Sequence, residues 1–225
     1  MLTADPSDWR TWITGHHQGL PSPGAAYYSR HMSTPPLILA STSSYRRELL
    51  ARLRLPFTAV APGVDETPVP HETPLARAQR LALAKARAVA EREHAATVIG
   101  SDQVAVCKGE LLEKPGSPER CREQLQWLSA AAATYYTAVA LVQAERNQAL
   151  QFVDTTTVYF RPLTEGEIER YIAAEQPFDC AGGFRSEALG ISLFARIVGE
   201  DPTGLIGLPL IALARGLRQL GYELP

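Results

Sequence analysis

Short, fully apolar runs alternate along this chain with longer stretches of helical spacing, the pattern of an α/β fold. Leu37-Ile-Leu-Ala runs straight into the hydroxyls Ser41, Thr42, Ser43 and Ser44, followed by Tyr45, Arg46 and Arg47. Leu49, Leu50 and Leu53 then recur at helical spacing. This predicts a buried strand, a tight turn and a helix whose N-terminus carries the hydroxyls. The free N–H groups and positive dipole end of such a helix suit an anion. Two arginines in the first turn oppose that dipole, and a bound polyanion would resolve the conflict.

Phe57 to Ala61 alternates as a second strand. Gly63-Val-Asp-Glu-Thr follows between Pro62 and Pro68. Its adjacent acids, Asp65 and Glu66, suit either a metal or polar ligand or an Asx-type surface turn. Thr73 to about Glu93 is the clearest helix, with Leu75, Ala78, Ala82 and Val89 on one face and Arg77, Arg80, Arg87 and Glu91 on the other. Lys85 falls inside the apolar stripe, so it must snorkel out or meet something negative.

Thr97 to Val106 predicts a buried strand interrupted by Gly100, Ser101, Asp102 and Gln103. Acidic and amide side chains at a strand's C-terminal end mark ligand sites in α/β sheets. The alternative for a buried Asp102 is a structural ion pair. Lys108 to Glu110 reads as a turn, and Lys114 is held by Pro115. Ser117-Pro118 opens a helix with Cys121, Leu125 and Leu128 inside. Thr134–Gln143 and Ala149–Phe160 read as an antiparallel hairpin. Thr164 and Glu167 form a capping box for a helix to about Ala174. Pro177 to Gly190 is a polar, glycine-bearing loop with Arg185 and Glu187. Ile191 to Val198 predicts a strand, Gly199 to Gly207 a second loop, and Pro209 opens a last helix with Leu210, Leu213, Leu217 and Leu220 on one side.

At 225 residues the chain is long enough for one large α/β domain or two small lobes. A net charge of -2 removes any global basic field for nucleic acid. Cys107, Cys121 and Cys180 have neither zinc spacing nor the even count of a disulfide framework, so a reducing cytoplasm is expected. No run approaches the roughly 18 apolar residues of a membrane helix. Residues 1–36 sustain no period and carry several prolines. They are expected to be a disordered extension, with Met32 as a natural start, or else a docking arm.

The exceptional residues collect into two groups. Hydroxyls, Arg46, Arg47, Lys85 and Lys114 suit a triphosphate. Glu66, Asp102 and Glu187 include carboxylates suited to Mg²⁺ or Mn²⁺. Walker, Gly-x-Ser-x-Gly and His-Glu-x-x-His patterns are missing. A metal-assisted phosphoanhydride hydrolase is one chemistry these parts could serve.

The order and spacing of Leu37-Ile-Leu-Ala-Ser-Thr-Ser-Ser-Tyr-Arg-Arg-Glu-Leu-Leu, Val64-Asp-Glu-Thr, Gly100-Ser-Asp-Gln-Val, Glu113-Lys-Pro, Ala181-Gly-Gly-Phe-Arg-Ser-Glu-Ala-Leu-Gly-Ile and Ile206-Gly-Leu-Pro-Leu resemble the Maf family of nucleotide pyrophosphatases. The resemblance runs from Leu37 nearly to the end. It implies cleavage between the α and β phosphates of a nucleoside triphosphate, a divalent metal (Mg²⁺ or Mn²⁺), and a cleft between two α/β lobes similar to the inosine triphosphatase fold. By position it makes Asp102 the proton acceptor. Lys85 and Lys114, with Ser41, Ser43, Arg46 and Arg47, would bind or polarise phosphates, and Glu66 with Asp102 would hold metal. Tyr45, Gln103 and Glu187 occupy the positions that set base choice. An aromatic residue, Gln and Glu there resemble the YceF-type branch acting on 7-methyl-GTP, where Trp is expected in place of Tyr45. A pyrimidine-directed or broader pyrophosphatase, and a nucleotide-sensing protein of cell-division control, are the alternatives. The implied partner is a small nucleotide, with no nucleic acid or membrane, and a homodimer is left open.

Overall fold

The computed structural model describes residues 34–225; the expectations of a disordered extension and of a start at Met32 fall on residues outside that range. Pro35 and Pro36 already belong to the fold. The Pro35 carbonyl accepts from the Tyr222 hydroxyl at 2.8 Å, and the Pro36 carbonyl accepts from Thr97 N–H at 2.8 Å.

The four apolar residues of β1 (Leu37–Ala40) are all buried, because each face of the strand meets a different layer. Leu37 and Leu39 pack with α1 (Ser44–Ala51) and α5 (Leu210–Gln219), while Ile38 and Ala40 face α2 (Pro74–Ala90). This alternation follows from the two-residue period of a strand. Strand β2 (Phe57–Val60) pairs parallel to β1, as does the 11-residue β3 (Thr97–Cys107) on its other side. The remaining strands are antiparallel. They are β4 (Glu110–Leu112) on β3, β5 (Ala132–Gln143) on β3, β6 (Gln148–Phe160) on β5, and β7 (Phe194–Val198) on β6. The result is one seven-stranded mixed sheet in the order β2-β1-β3-β5-β6-β7 with β4 beside β3. The α/β class with flanking helices is thus as expected. A third apolar region, formed where the far ends of β3, β5 and β6 meet α3 (Pro118–Leu128) and α4 (Glu165–Glu175), includes Leu125, Tyr135, Phe160 and Phe184.

Helix starts agree with the sequence. Ser43, Thr73 and Ser117 accept from the backbone of Arg46, Ala76 and Arg120. Thr164 and Glu167 form the reciprocal capping box of α4.

Four expectations need correction. Strand β3 is not interrupted at Gly100–Gln103 but runs through them. The glycine there serves helix packing: a Cβ on Gly100 would overlap the Ala82 carbonyl and come within 2.6 Å of Ala86 N. The turn at Lys108–Gly109, both with positive φ, is followed at once by β4, a short strand that its polar surroundings concealed. Residues Leu189–Leu193 form a 3-10 turn, and only Phe194–Val198 is strand. Leu75, placed on the inner face of α2, is 38% exposed, because the first turn of that helix overhangs the core.

One feature of the sheet positions the cleft. Strand β5 pairs with β3 along its whole length, from Thr97 to Cys107. On the opposite edge of β3, β1 stops at Gly100 and β4 begins at Ala105. Ser101 to Val104 therefore have no strand on that side, and a central strand shows its edge.

Candidate active site

A cleft of about 460 Å³ opens at this gap. Its lining joins the Ser41–Arg46 turn, Glu66, Lys85, Asp102, Gln103, Lys114, the Asp179–Glu187 segment and the Leu205–Gly207 loop. The volume is that of a small-molecule site. Every predicted site residue except Arg47 lines it. Arg47 is exposed on α1, since successive helical side chains diverge by about 100° and Arg46 takes the inward direction.

Alternation along β3 sends the gap residues to opposite faces. Asp102 points toward α2, where Lys85 Nζ donates to its Oδ1 at 2.6 Å. The same ammonium lies 2.8 Å from Glu66 Oε1. Lys85 and Asp102 are both 6% exposed, whereas Glu66 reaches in from the surface. The out-of-stripe lysine of α2 thus meets two carboxylates instead of snorkelling to water. Its helix can approach because Gly100 has no side chain. Burial raises the Asp102 carboxyl above its ordinary pKa. Lys85 and Arg46 pull it down, and Glu66 adds to the upward push.

The adjacent acids at positions 65 and 66 divide the two readings offered by the sequence. Asp65 Oδ1 accepts from Thr67 N–H at 2.9 Å and from its hydroxyl at 2.6 Å, closing an Asx turn. The next side chain, Glu66, reaches the cleft.

On the other face of β3, the Ser101 hydroxyl donates to the Gly207 carbonyl at 3.1 Å. Arg46 Nε donates to the same carbonyl at 2.9 Å. The bond fixes one edge of the guanidinium, and burial lowers its pKa against the opposing pull of Asp102 and Glu66. Ser41 Oγ accepts from Ser43 N–H at 3.1 Å, so the hydroxyl cluster is ordered by its own backbone. Lys114 is exposed and makes no ion pair among the described residues.

Tyr45 spans the mouth. Its hydroxyl donates to the Asp179 carboxylate at 3.3 Å and accepts weakly from Cys180 Sγ at 3.6 Å. Arg185 binds Asp179 at 3.2 Å and stands 5.8 Å from the Tyr45 ring centroid. Glu187 is exposed and takes a hydrogen bond from Ser186 at 3.3 Å. Sequence reasoning missed Asp179 and Cys180, which lie 134 and 135 positions beyond Tyr45 in a loop without periodicity.

The cleft's charge balance bears on a metal. Three cationic side chains line it (Arg46, Lys85 and Lys114) against four acidic ones (Glu66, Asp102, Asp179 and Glu187). A polyanion entering such a site needs further positive charge. Among the described residues no three His, Cys, Asp or Glu side chains converge as a protein cage for metal. Glu66 and Asp102, which meet at the Lys85 ammonium, are the two carboxylates of the cleft that could hold Mg²⁺, an ion bound through one or two carboxylates and several waters.

The family model described as Maf-like protein matches residues 36–220. This chain belongs to the Maf-like family. A 7-methyl-GTP pyrophosphatase of Xanthomonas axonopodis pv. citri is 56% identical over 191 residues, covering 85% of this chain and all of the relative. The protein of that name from Aromatoleum aromaticum is 53% identical over 189 residues, 84% of this chain and 97% of the relative. Among solved structures, a Ham1 protein from Coxiella burnetii aligns over 82% of this chain and 99% of that one, at 15% identity and a TM-score of 0.47, a likeness too loose to carry weight.

Proposed function

We propose that this Maf-like chain is a nucleoside triphosphate pyrophosphatase that hydrolyses the α–β phosphoanhydride of 7-methyl-GTP, releasing 7-methyl-GMP and pyrophosphate. The observation that carries the reading is a buried Asp102 held by Lys85 beside Glu66. It occurs in a chain more than half identical, along nearly all of its described length, to proteins named for that reaction.

In this reading Asp102 accepts a proton from water as the water oxygen bonds to phosphorus and the bond to the bridging oxygen breaks. Lys85 favours the ionised Asp102 carboxylate against the burial that raises its pKa, and it lines the cleft the phosphates would enter. Arg46 and the Ser41–Ser43 turn grip the polyanion from the other face, and Lys114 reaches it from the far rim. Glu66 and Asp102 would hold a divalent cation, Mg²⁺ or Mn²⁺, which when bound supplies the charge the cleft lacks and makes water more acidic. Base recognition falls to Tyr45, Gln103 and Glu187. N7-methylguanine is cationic, and an aromatic face with a carboxylate beside it suits such a ring. The reaction and its soluble nucleotide fit a cytoplasmic setting.

The test is pyrophosphate release from the full chain across 7-methyl-GTP, GTP, ATP, dTTP and UTP with Mg²⁺ or Mn²⁺. Preference for 7-methyl-GTP is expected. Preference for dTTP or UTP would overturn the base assignment, and binding without turnover would favour a sensor.

A further inference from the structure

Gln103 reads the base, in the function proposed above, with a side-chain amide that has two chemically opposite ends. Which end faces the cleft decides whether a donor or an acceptor is offered. The surroundings leave one choice. Gln103 Nε2 lies 2.9 Å from Thr137 Oγ1, 3.1 Å from the Gly204 carbonyl and 3.0 Å from the Leu205 carbonyl. Thr137 Oγ1 lies 2.9 Å from the Gly204 carbonyl. A hydroxyl has one proton, and here a carbonyl takes it. Toward Gln103 the hydroxyl is then an acceptor. Reversing the amide would set Oε1 against two carbonyl oxygens, a repulsive arrangement in a part-buried place.

Thr137 is fully buried in the middle of β5 and is the direct cross-strand partner of Gln103 on β3. Opposed residues of a pair project to the same face of the sheet. The pairing register alone therefore brings the hydroxyl under the amide. The loop that supplies the two carbonyls is fixed from behind. Asp201 Oδ1 accepts from Thr203 N–H at 2.9 Å and Thr203 Oγ1 at 2.6 Å, and Asp201 Oδ2 accepts from Ile211 N–H at 2.6 Å, at the first turn of α5. Gly204 is required there because a Cβ would overlap the Asp154 carboxylate. Gln103 Oε1, in contrast, takes no hydrogen bond from any described residue.

We infer that Thr137 is a positioning residue for base selection: the Gly204 and Leu205 carbonyls set which end of the Gln103 amide faces the cleft, and Thr137, sharing the two N–H groups with them and tied to the Gly204 carbonyl, fixes where that acceptor stands. This rests on the proposed nucleotide function. The ligand edge that fits carries N–H donors, as the N1–H and exocyclic amino group of a guanine-type base do. Glu187 is a second acceptor in the same cleft. An adenine-type edge puts a ring-nitrogen acceptor where guanine has a donor, so it matches one of the two acceptors at most.

The test compares Thr137→Val and Thr137→Ser with the unaltered chain, using kcat and KM for 7-methyl-GTP and ATP together with the thermal midpoint. Valine keeps the shape and removes the hydroxyl; serine keeps the hydroxyl. The valine variant is expected to lose about tenfold in kcat/KM for 7-methyl-GTP, mostly through KM, and to lose discrimination against ATP by a similar factor. Serine is expected to restore both. A purely structural hydroxyl would lower the midpoint or slow both substrates alike, leaving the ratio unchanged, and that result would overturn the inference. Should the valine variant not fold, Thr137→Ala removes the hydroxyl without adding bulk and decides by the same ratio. Failure of the broader reading would look different, because the unaltered chain would itself then not prefer 7-methyl-GTP.

Discussion

Lys85 Nζ and Asp102 Oδ1 stand 2.6 Å apart at the point where β3 has lost its neighbour, with Glu66 on the same ammonium. The pair makes a prediction about pH. Burial raises the Asp102 carboxyl above the ordinary value of about 3.9, and Lys85 is the strongest influence pulling it back. A general base works ionised, so the acid limb of kcat/KM should lie above that ordinary value. Lys85→Met should move the limb to still higher pH, which a pH–rate profile measures. For stability the sign is opposite to that of a salt-bridged acid with a lowered pKa. A raised folded pKa contributes stability below the unfolded value, lost as pH rises through the folded one. Asp102→Asn should accordingly lower kcat by about 10²–10⁴-fold while the protein remains folded at neutral pH.

Arg46 and Arg47 are neighbours in sequence with different surroundings. Arg46→Ala should raise KM at least about tenfold, the cost of a charged contact of roughly 1.5–3 kcal/mol. Arg47→Ala, at an exposed position, should change KM less than about fivefold. Steady-state kinetics on the two variants checks the contrast.

Gly100→Ala should separate α2 from β3, because the new methyl group would overlap the Ala82 carbonyl. Overpacking of this kind costs about 1–3 kcal/mol. The expected result is a lower urea midpoint and a kcat loss larger than the stability loss explains, since Lys85 rides on that helix.

Glu66→Gln should shift the cation titration of activity to higher concentration, with activity partly recovered at high Mg²⁺ or Mn²⁺. Chelation of divalent ions should abolish turnover in the unaltered chain, as measured by pyrophosphate release.

Much of this organisation was legible in the sequence because it is local. The helix starts at the Ser41–Ser44 hydroxyls and at Thr73, the cap at Ser117, the box at Thr164 and Glu167, and the hairpin of β5 and β6 are each written within a few residues. Lys85 was legible as an anomaly, a charge in an apolar stripe, though not its partners. The unbroken course of β3 was hidden because Gly100 reads as a break, and its reason, the approach of α2, is tertiary. Asp179 at Tyr45 and Thr137 under Gln103 were not legible either. Each depends on a pairing or loop approach fixed by the whole sheet, and neither residue differs locally from an ordinary loop acid or strand threonine.

The four-residue break in the pairing of β3 has a consequence for self-association. An exposed strand edge invites another chain to add a strand, which is why edges in sheets are usually short, charged or covered. Here the bare edge is an interior one. It is bounded by β1 at one end and β4 at the other, only Ser101 to Val104 lack a strand neighbour there, all but Gln103 of these are buried, and charged side chains line the cleft beside them. A foreign strand would have no room to continue its ladder in either direction. The fold thus keeps a gap in strand pairing at its centre, beside a cleft sized for a small ligand and too short for a further strand.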